Sequence, residues 1–229
     1  MITAQAVLDE LHKLSRPEQL AGMKRFGMTI DRRLGISIPQ LRKMAKQIGK
    51  NHRLAMELWH SGITEAMIVA AMIDNPEEVT SEQMDDWVVE FNSWDVCDQV
   101  CMNLLDKTPL AWKKVFEWSE REEEYVKRAA FALIACLAWH DKTADDEQFL
   151  QYLPLIKQAA DDERNYVKKA VSWALRHIGK RNSSLYPIAL QTAQQLIKSD
   201  NKTTRWIGSD AIRDLNTEST RRRIKQMSK

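Results

Sequence analysis

The feature that most constrains this chain is that it repeats itself. EEEYVKRAAFALIACLAW (122–139) returns as DERNYVKKAVSWALRHIG (162–179), so Tyr125-Val126-Lys127-Arg128-Ala129 and Tyr166-Val167-Lys168-Lys169-Ala170 stand 41 residues apart. A fainter echo, TTRWIGSDAIRDL (203–215), sets Ala211-Ile212-Arg213 against Ala174-Leu175-Arg176 at an offset of 37. Earlier, ITEAMIVAAMI (63–73) has the same small, apolar helical character. Self-similarity at roughly 35–40 residues in a helical chain marks stacked helix pairs, none of which can bury its apolar face alone. Seven Gly and six Pro in 229 residues leave little punctuation for hairpins, and no alternating apolar/polar run is long enough for a strand. The expectation is an all-α solenoid, one domain over 1–229, with the basic tail RRRIKQMSK (221–229) prone to fray.

The breaks between helices fall where such a repeat needs them. Thr80 or Ser81 precedes an apolar-periodic segment and predicts an N-cap. Thr108 followed by Pro109 predicts a cap with proline at the first helical position. Thr143 ahead of Asp145, Asp146 and Glu147 predicts a helix start with an acidic first turn. Gly179 predicts a C-terminal stop.

The net charge of +2 conceals a strong asymmetry. Residues 1–53 carry +7, 54–126 carry −13, 127–163 carry −3 and 164–229 carry +11. Two basic ends are compatible with a polyanion held at both, and equally with solvated helix faces that cluster by chance. The longest apolar run, AAFALIACLAW (129–139), is well short of the ~20 residues that span a bilayer. The N-terminus reads as an amphipathic helix rather than a signal peptide. Three cysteines, Cys97, Cys101 and Cys136, fit a reduced cytoplasmic compartment.

No phosphate-binding glycine loop, HExxH, EF-hand or dinucleotide fingerprint is present, so no cofactor is expected. Cys97 and Cys101 lack a second ligand pair at zinc-like spacing, so no metal is expected either. His12, His52, His60, His140 and His177 are scattered. What remains is aromatic: eight Trp, most of which a helix-pair array uses as bulky filler. In FNSWDVCDQV (91–100), Trp94 and Asp98 are four apart and share a helix face. Trp173 follows Lys169 by one turn and precedes Arg176. A carboxylate beside an aromatic wall suits the positive charge of an oxocarbenium-like transition state. By itself a W-x-x-x-D pair is more often structural. The basic position shared by the repeats, Arg128, Lys169 and Arg205, predicts cations projecting to one side, either toward phosphates or toward acids on the next repeat.

Taken in order, RLGISIPQLRKMAK (33–46), NSWDVCDQV (92–100), YVKRAAF (125–131) and KKAVSWALR (168–176) resemble the AlkD-type DNA alkylation repair enzymes, the HEAT-like-repeat DNA glycosylases. The resemblance implies a right-handed solenoid of HEAT-like helix-pair repeats with a concave cleft, acting as a monomer on double-stranded DNA. It implies hydrolysis of the N-glycosidic bond of cationic N3- or N7-alkylated purines without base flipping. Trp94, Asp98, Arg128 and Trp173 match the family's cleft residues, and Phe26 is the nearest match to a DNA-contacting aromatic upstream of the LGI turn. Arg42, Lys127, Lys168, Lys169, Arg176 and Arg205 are the accompanying DNA-contact candidates. The match departs at Ser93, where an aromatic is common. The alternative is a HEAT-repeat scaffold that binds nucleic acid or protein and has no excision activity.

Overall fold

The computed structural model describes residues 2–227. It divides into two compact units, Met1–Leu110 and Ala111–Lys229. The first contains α1 (Ala4–Lys13), α2 (Leu20–Arg25), α3 (Ile38–Ile48), α4 (His52–Trp59), α5 (Thr64–Ile73), α6 (Ser81–Val89) and α7 (Trp94–Asn103). The second contains α8 (Ala111–Ser119), α9 (Glu124–His140), α10 (Asp146–Leu150), α11 (Leu153–Gln158), α12 (Asn165–Arg181), α13 (Leu185–Leu196), α14 (Lys202–Leu215) and α15 (Glu218–Met227). The described residues form no strand, so the all-α expectation holds. No described helix is long and apolar enough to cross a membrane.

In the first unit α5 is the axis, packed by α3, α4 and α7. Nine of its ten residues are buried, which is why it is apolar around its whole circumference rather than along one stripe. Trp59 on α4 and Trp87 on α6 stack at 3.8 Å, with Phe91 tilted against Trp59. In the second unit α9 and α12 form the most extensive helix contact. The repeat seen in the sequence is literal here, because Tyr125 and Tyr166, the first residues of the two copies, stack at 5.8 Å.

Thr80 caps α6 as expected, accepting from the Gln83 amide. Three other boundaries differ. Thr108 does not cap a helix at Pro109, since α8 begins at Ala111 and the Thr108 hydroxyl donates back to the Leu105 carbonyl. Thr143 is displaced as a cap by Asp145, whose capping box with Gln148 starts α10, while the Thr143 hydroxyl donates to Asp141. Gly179 does not stop α12, which continues to Arg181. It is a packing glycine: a Cβ there would lie 2.8 Å from Leu215 and 2.9 Å from Ala189. The basic tail is helical as far as Met227, and Ser228 and Lys229 lie outside the described residues.

Candidate nucleic-acid interface

The chain between α2 and α3 is where the first unit builds its most elaborate polar structure. Gly35 takes φ +83°, a left-handed conformation that favours glycine, and a Cβ there would sit 2.3 Å from the Arg16 carbonyl oxygen. The turn so formed points the Leu34, Gly35 and Ile36 amides at the carboxylate of Glu65 on α5, at 2.8–3.2 Å. Glu65 is 1% exposed. A buried carboxylate is tolerable only when its oxygens are hydrogen-bonded, and these three donors meet that need.

Arg33 then reaches from this turn to α7. Its Nη1 and Nη2 donate to Asp95 Oδ2 and Oδ1 at 2.8 and 2.9 Å, a bidentate pair in which both residues are buried. Its Nε donates to the Thr29 carbonyl. Ser93, the residue before α7, is fully buried; its hydroxyl donates to Asp95 and accepts from the Thr29 amide. The Thr29 hydroxyl donates to the Asn92 carbonyl at 2.6 Å. A bulky aromatic at position 93 would have to displace this network. Ser93 therefore marks a different solution to anchoring α7, in which hydrogen bonds do the fixing.

The residue this network positions is Trp94, which opens α7. Its indole N–H donates to the backbone carbonyl of Phe26 at 3.2 Å, and Phe26 is itself 75% exposed. The structure thus brings together Trp94 and Phe26, which are distant in sequence. Asp98 is one turn further along α7, and both it and Trp94 are half-buried. At ~100° per residue, Trp94, Asp98, Met102, Gln99 and Asn103 span one half of the helix, in which Asp95 is covered by Arg33, while Val96, Cys97, Val100 and Cys101 are buried opposite.

The second unit handles its candidates differently. Arg128 is 5% exposed, and its Nη1 donates to the Tyr166 carbonyl at 2.6 Å. Lys169 and Arg205 are exposed, so the three repeat-related cations do not share one environment as the repeat predicts. Arg205 donates to the Ser199 and Asp200 carbonyls. Lys127 lies 3.9 Å from Asp162, and Arg176 lies 3.6 Å from Asp210 and 3.9 Å from Asp214, all ion pairs to the following repeat. Lys168 sits 5.4 Å over the Trp206 ring. Lys169 has no ion-pair partner among the described residues. Trp173 is half-buried, edge-on to His177 at 5.7 Å. Burial pushes the His177 imidazole down to about 4, and the Lys180 and Arg176 charges add to this, so it is neutral at pH 7. Arg42 is exposed on α3 in the first unit.

Arg33, Asp95, Thr29 and Glu65 escape sequence reasoning because their partners lie 30 to 64 positions away. The one local signal is the adjacency of Ser93 and Asp95 at a helix start, which resembles an ordinary cap.

Comparison with known proteins agrees with this architecture. The uncharacterized protein Lin0241 of Listeria innocua serovar 6a is 24% identical over 202 residues, covering 86% of this chain and 88% of that protein. The uncharacterized protein Lmo0209 of Listeria monocytogenes serovar 1/2a is 22% identical over the same coverage. A solved structure from a family related to the HEAT-like repeat DNA glycosylases, described as having affinity for branched DNA structures, superposes with a TM-score of 0.76 at 20% identity. It covers 93% of this chain and 95% of its own. The sequence model of the DNA alkylation repair enzymes matches residues 7–215. With that match across nearly the whole chain, the protein belongs to the DNA alkylation repair enzyme family.

Proposed function

We propose that the protein is a DNA glycosylase that excises cationic N3- and N7-alkylated purines from duplex DNA. The observation that carries this reading is the Trp94–Asp98 pair on one face of α7, with the exposed Phe26 tied to Trp94 through the hydrogen bond from the indole to its backbone carbonyl. An alkylated purine is already a cationic leaving group, so no general acid is needed to protonate it. The demand falls on the sugar, which develops positive charge as the C–N bond breaks. Asp98 supplies the stabilising carboxylate and orients the attacking water, while Trp94 and Phe26 pack the deoxyribose and neighbouring backbone. None of this needs a snug pocket around an extruded base, in contrast to enzymes that flip their target. In the second unit, Trp173, Lys169 and Arg128 are assigned to DNA contacts of that unit, Trp173 to the sugar backbone and the two cations to phosphates. Asp98→Asn keeps the shape and removes the charge. It is expected to lower release of 7-methylguanine and 3-methyladenine from methylated duplex DNA by about 10²–10³-fold. Chromatography of the released bases measures it, and an unchanged rate defeats the assignment.

A second reading is favoured by the branched-DNA affinity attributed to the structural relative. On that reading the protein binds DNA junctions without cutting the glycosidic bond. Release of no alkylpurine by excess wild-type protein, together with a retained gel shift on a four-way junction, would establish it over the first.

A further inference from the structure

At the C-terminal ends of α3, α5 and α7, on the first unit, lies a cleft of about 380 Å³ lined by Arg42, Lys46, Lys50, Met72, Asn103 and Lys107. Four of its residues are cations and none is an acid. Several cations on other helices are neutralised locally: Lys13 by Glu10, Arg53 by Glu57, Lys113 by Glu117 and Arg213 by Asp210. Among the described residues, Arg42, Lys46, Lys50 and Lys107 have no ion-pair partner within 4 Å. Asp74, the acid whose charge reaches Lys50, is fully buried, with its carboxylate committed to His52, the Asn75 amide and Gln83.

Capping of helix C-termini accounts for part of the cluster, since cations favour the negative end of the helix dipole. Lys50 follows Gly49, whose φ of +78° ends α3, and its Nζ donates to the Met72 and Asp74 carbonyls. Lys107 Nζ donates to the Asn103 carbonyl at 2.7 Å. An ammonium has three N–H donors, so Lys50 keeps one and Lys107 keeps two for another acceptor, on side chains already held in place. Capping does not explain Arg42, which is exposed in the middle of α3 and stands one turn before Lys46 on the same face. Burial, and after it the nearby Lys107 charge, lower the pKa of Lys50 against the opposing pull of Asp74, so the two ammoniums disfavour each other's charge. Two prepositioned ammoniums, two exposed cations and an amide, with no carboxylate in the wall, describe an acceptor-seeking site.

We propose that this cleft grips phosphates of the DNA backbone. It lies toward the far end of the same half of α7, with Asn103 five residues, or about 7.5 Å of helix, beyond Asp98. The cleft therefore contacts the duplex away from the reacting sugar, contributing affinity without sequence readout. The inference rests on the DNA-binding reading above.

The test is the salt dependence of binding to a fluorescein-labelled undamaged duplex, read by anisotropy. Replacing Arg42, Lys46, Lys50 and Lys107 by Gln is expected to weaken binding at low salt on the order of tenfold. The slope of log K against log salt should fall by about 0.9 for each phosphate released. Because Lys50 and Lys107 also cap helices, Arg42→Gln with Lys46→Gln, both exposed and outside the caps, serves as the second variant and should lower the slope in the same direction. A control that removes the same charge from Lys13, Arg53, Lys113 and Arg213 should leave the slope near that of the wild type. An unchanged slope in both cleft variants overturns the inference, as does an equal fall in the control. Failure of the wild type to bind any duplex at low salt overturns the DNA reading with it, whereas loss of excision in Asp98→Asn bears only on the chemistry.

Discussion

The two units fix their exposed aromatics by different means. In the first, Trp94 stands at the start of a ten-residue helix whose entry is held by a buried bidentate ion pair and four further hydrogen bonds among Thr29, Arg33, Asn92, Ser93 and Asp95. In the second, Trp173 is in the middle of the seventeen-residue α12, packed along the apolar α9, and Arg176 three residues on pairs with acids of the next repeat. The difference follows from length and composition. A long helix with eight buried residues is held chiefly by packing, whereas α7 buries five and gives one arc to solvent. Directional bonds are needed to hold an aromatic steady at such an edge. Their cost is two desolvated charges, tolerable only while both partners remain.

That contrast can be broken most decisively at Arg33. Arg33→Met strands the Asp95 carboxylate and should destabilise the protein by about 3–5 kcal/mol, while adding Asp95→Leu should recover most of the loss. Urea unfolding of the single and double variants checks this, and similar midpoints for the two would show that burial, not charge, holds α7. A smaller effect is expected at Arg128. Arg128→Met leaves the Tyr166 carbonyl without its Nη1 donor and should cost about 1–3 kcal/mol by the same measurement. A DNA-binding defect with wild-type stability would instead assign Arg128 to phosphate alone.

The smallest expected effect is a slope. His177 has its folded pKa depressed from 6.5 to about 4, so the folded state holds it neutral while the unfolded state takes up a proton first. Its stabilising contribution is complete above pH 6.5 and is lost as pH falls from there toward 4. His177→Gln should flatten the fall in unfolding midpoint across that window relative to the wild type. Parallel curves for the two proteins would mean that the imidazole beside Trp173 is not protected from water as the geometry requires.

Much of this molecule is legible in one dimension. The 41-residue echo anticipates the α9–α12 contact down to the stacked Tyr125 and Tyr166, because identical positions in stacked repeats meet their own counterparts. Thr80 works as a cap because an N-cap depends only on the next three residues. Thr143 fails by the same logic, since Asp145 and Gln148 make a complete capping box two residues later. Gly179 is misread because a glycine that ends a helix and one that admits a neighbouring helix look alike until Leu215 and Ala189 are placed against it.

The candidate site divides in the same way. Trp94 and Asp98 share a helix face whatever surrounds them, since the period of the helix alone sets that relation. Helical character, repeat length, the absence of metal-binding and nucleotide-binding motifs and the family resemblance were all determined by the sequence itself, because each is a local or periodic property. Tertiary structure alone decided that Arg33 would meet Asp95, that the Trp94 indole would bond the Phe26 carbonyl, and that Arg128 would be buried while Lys169 stayed exposed. Those outcomes depend on which surfaces are desolvated together. Desolvation is set by neighbours distant along the chain, so a charge's partner is unknown until the fold supplies it.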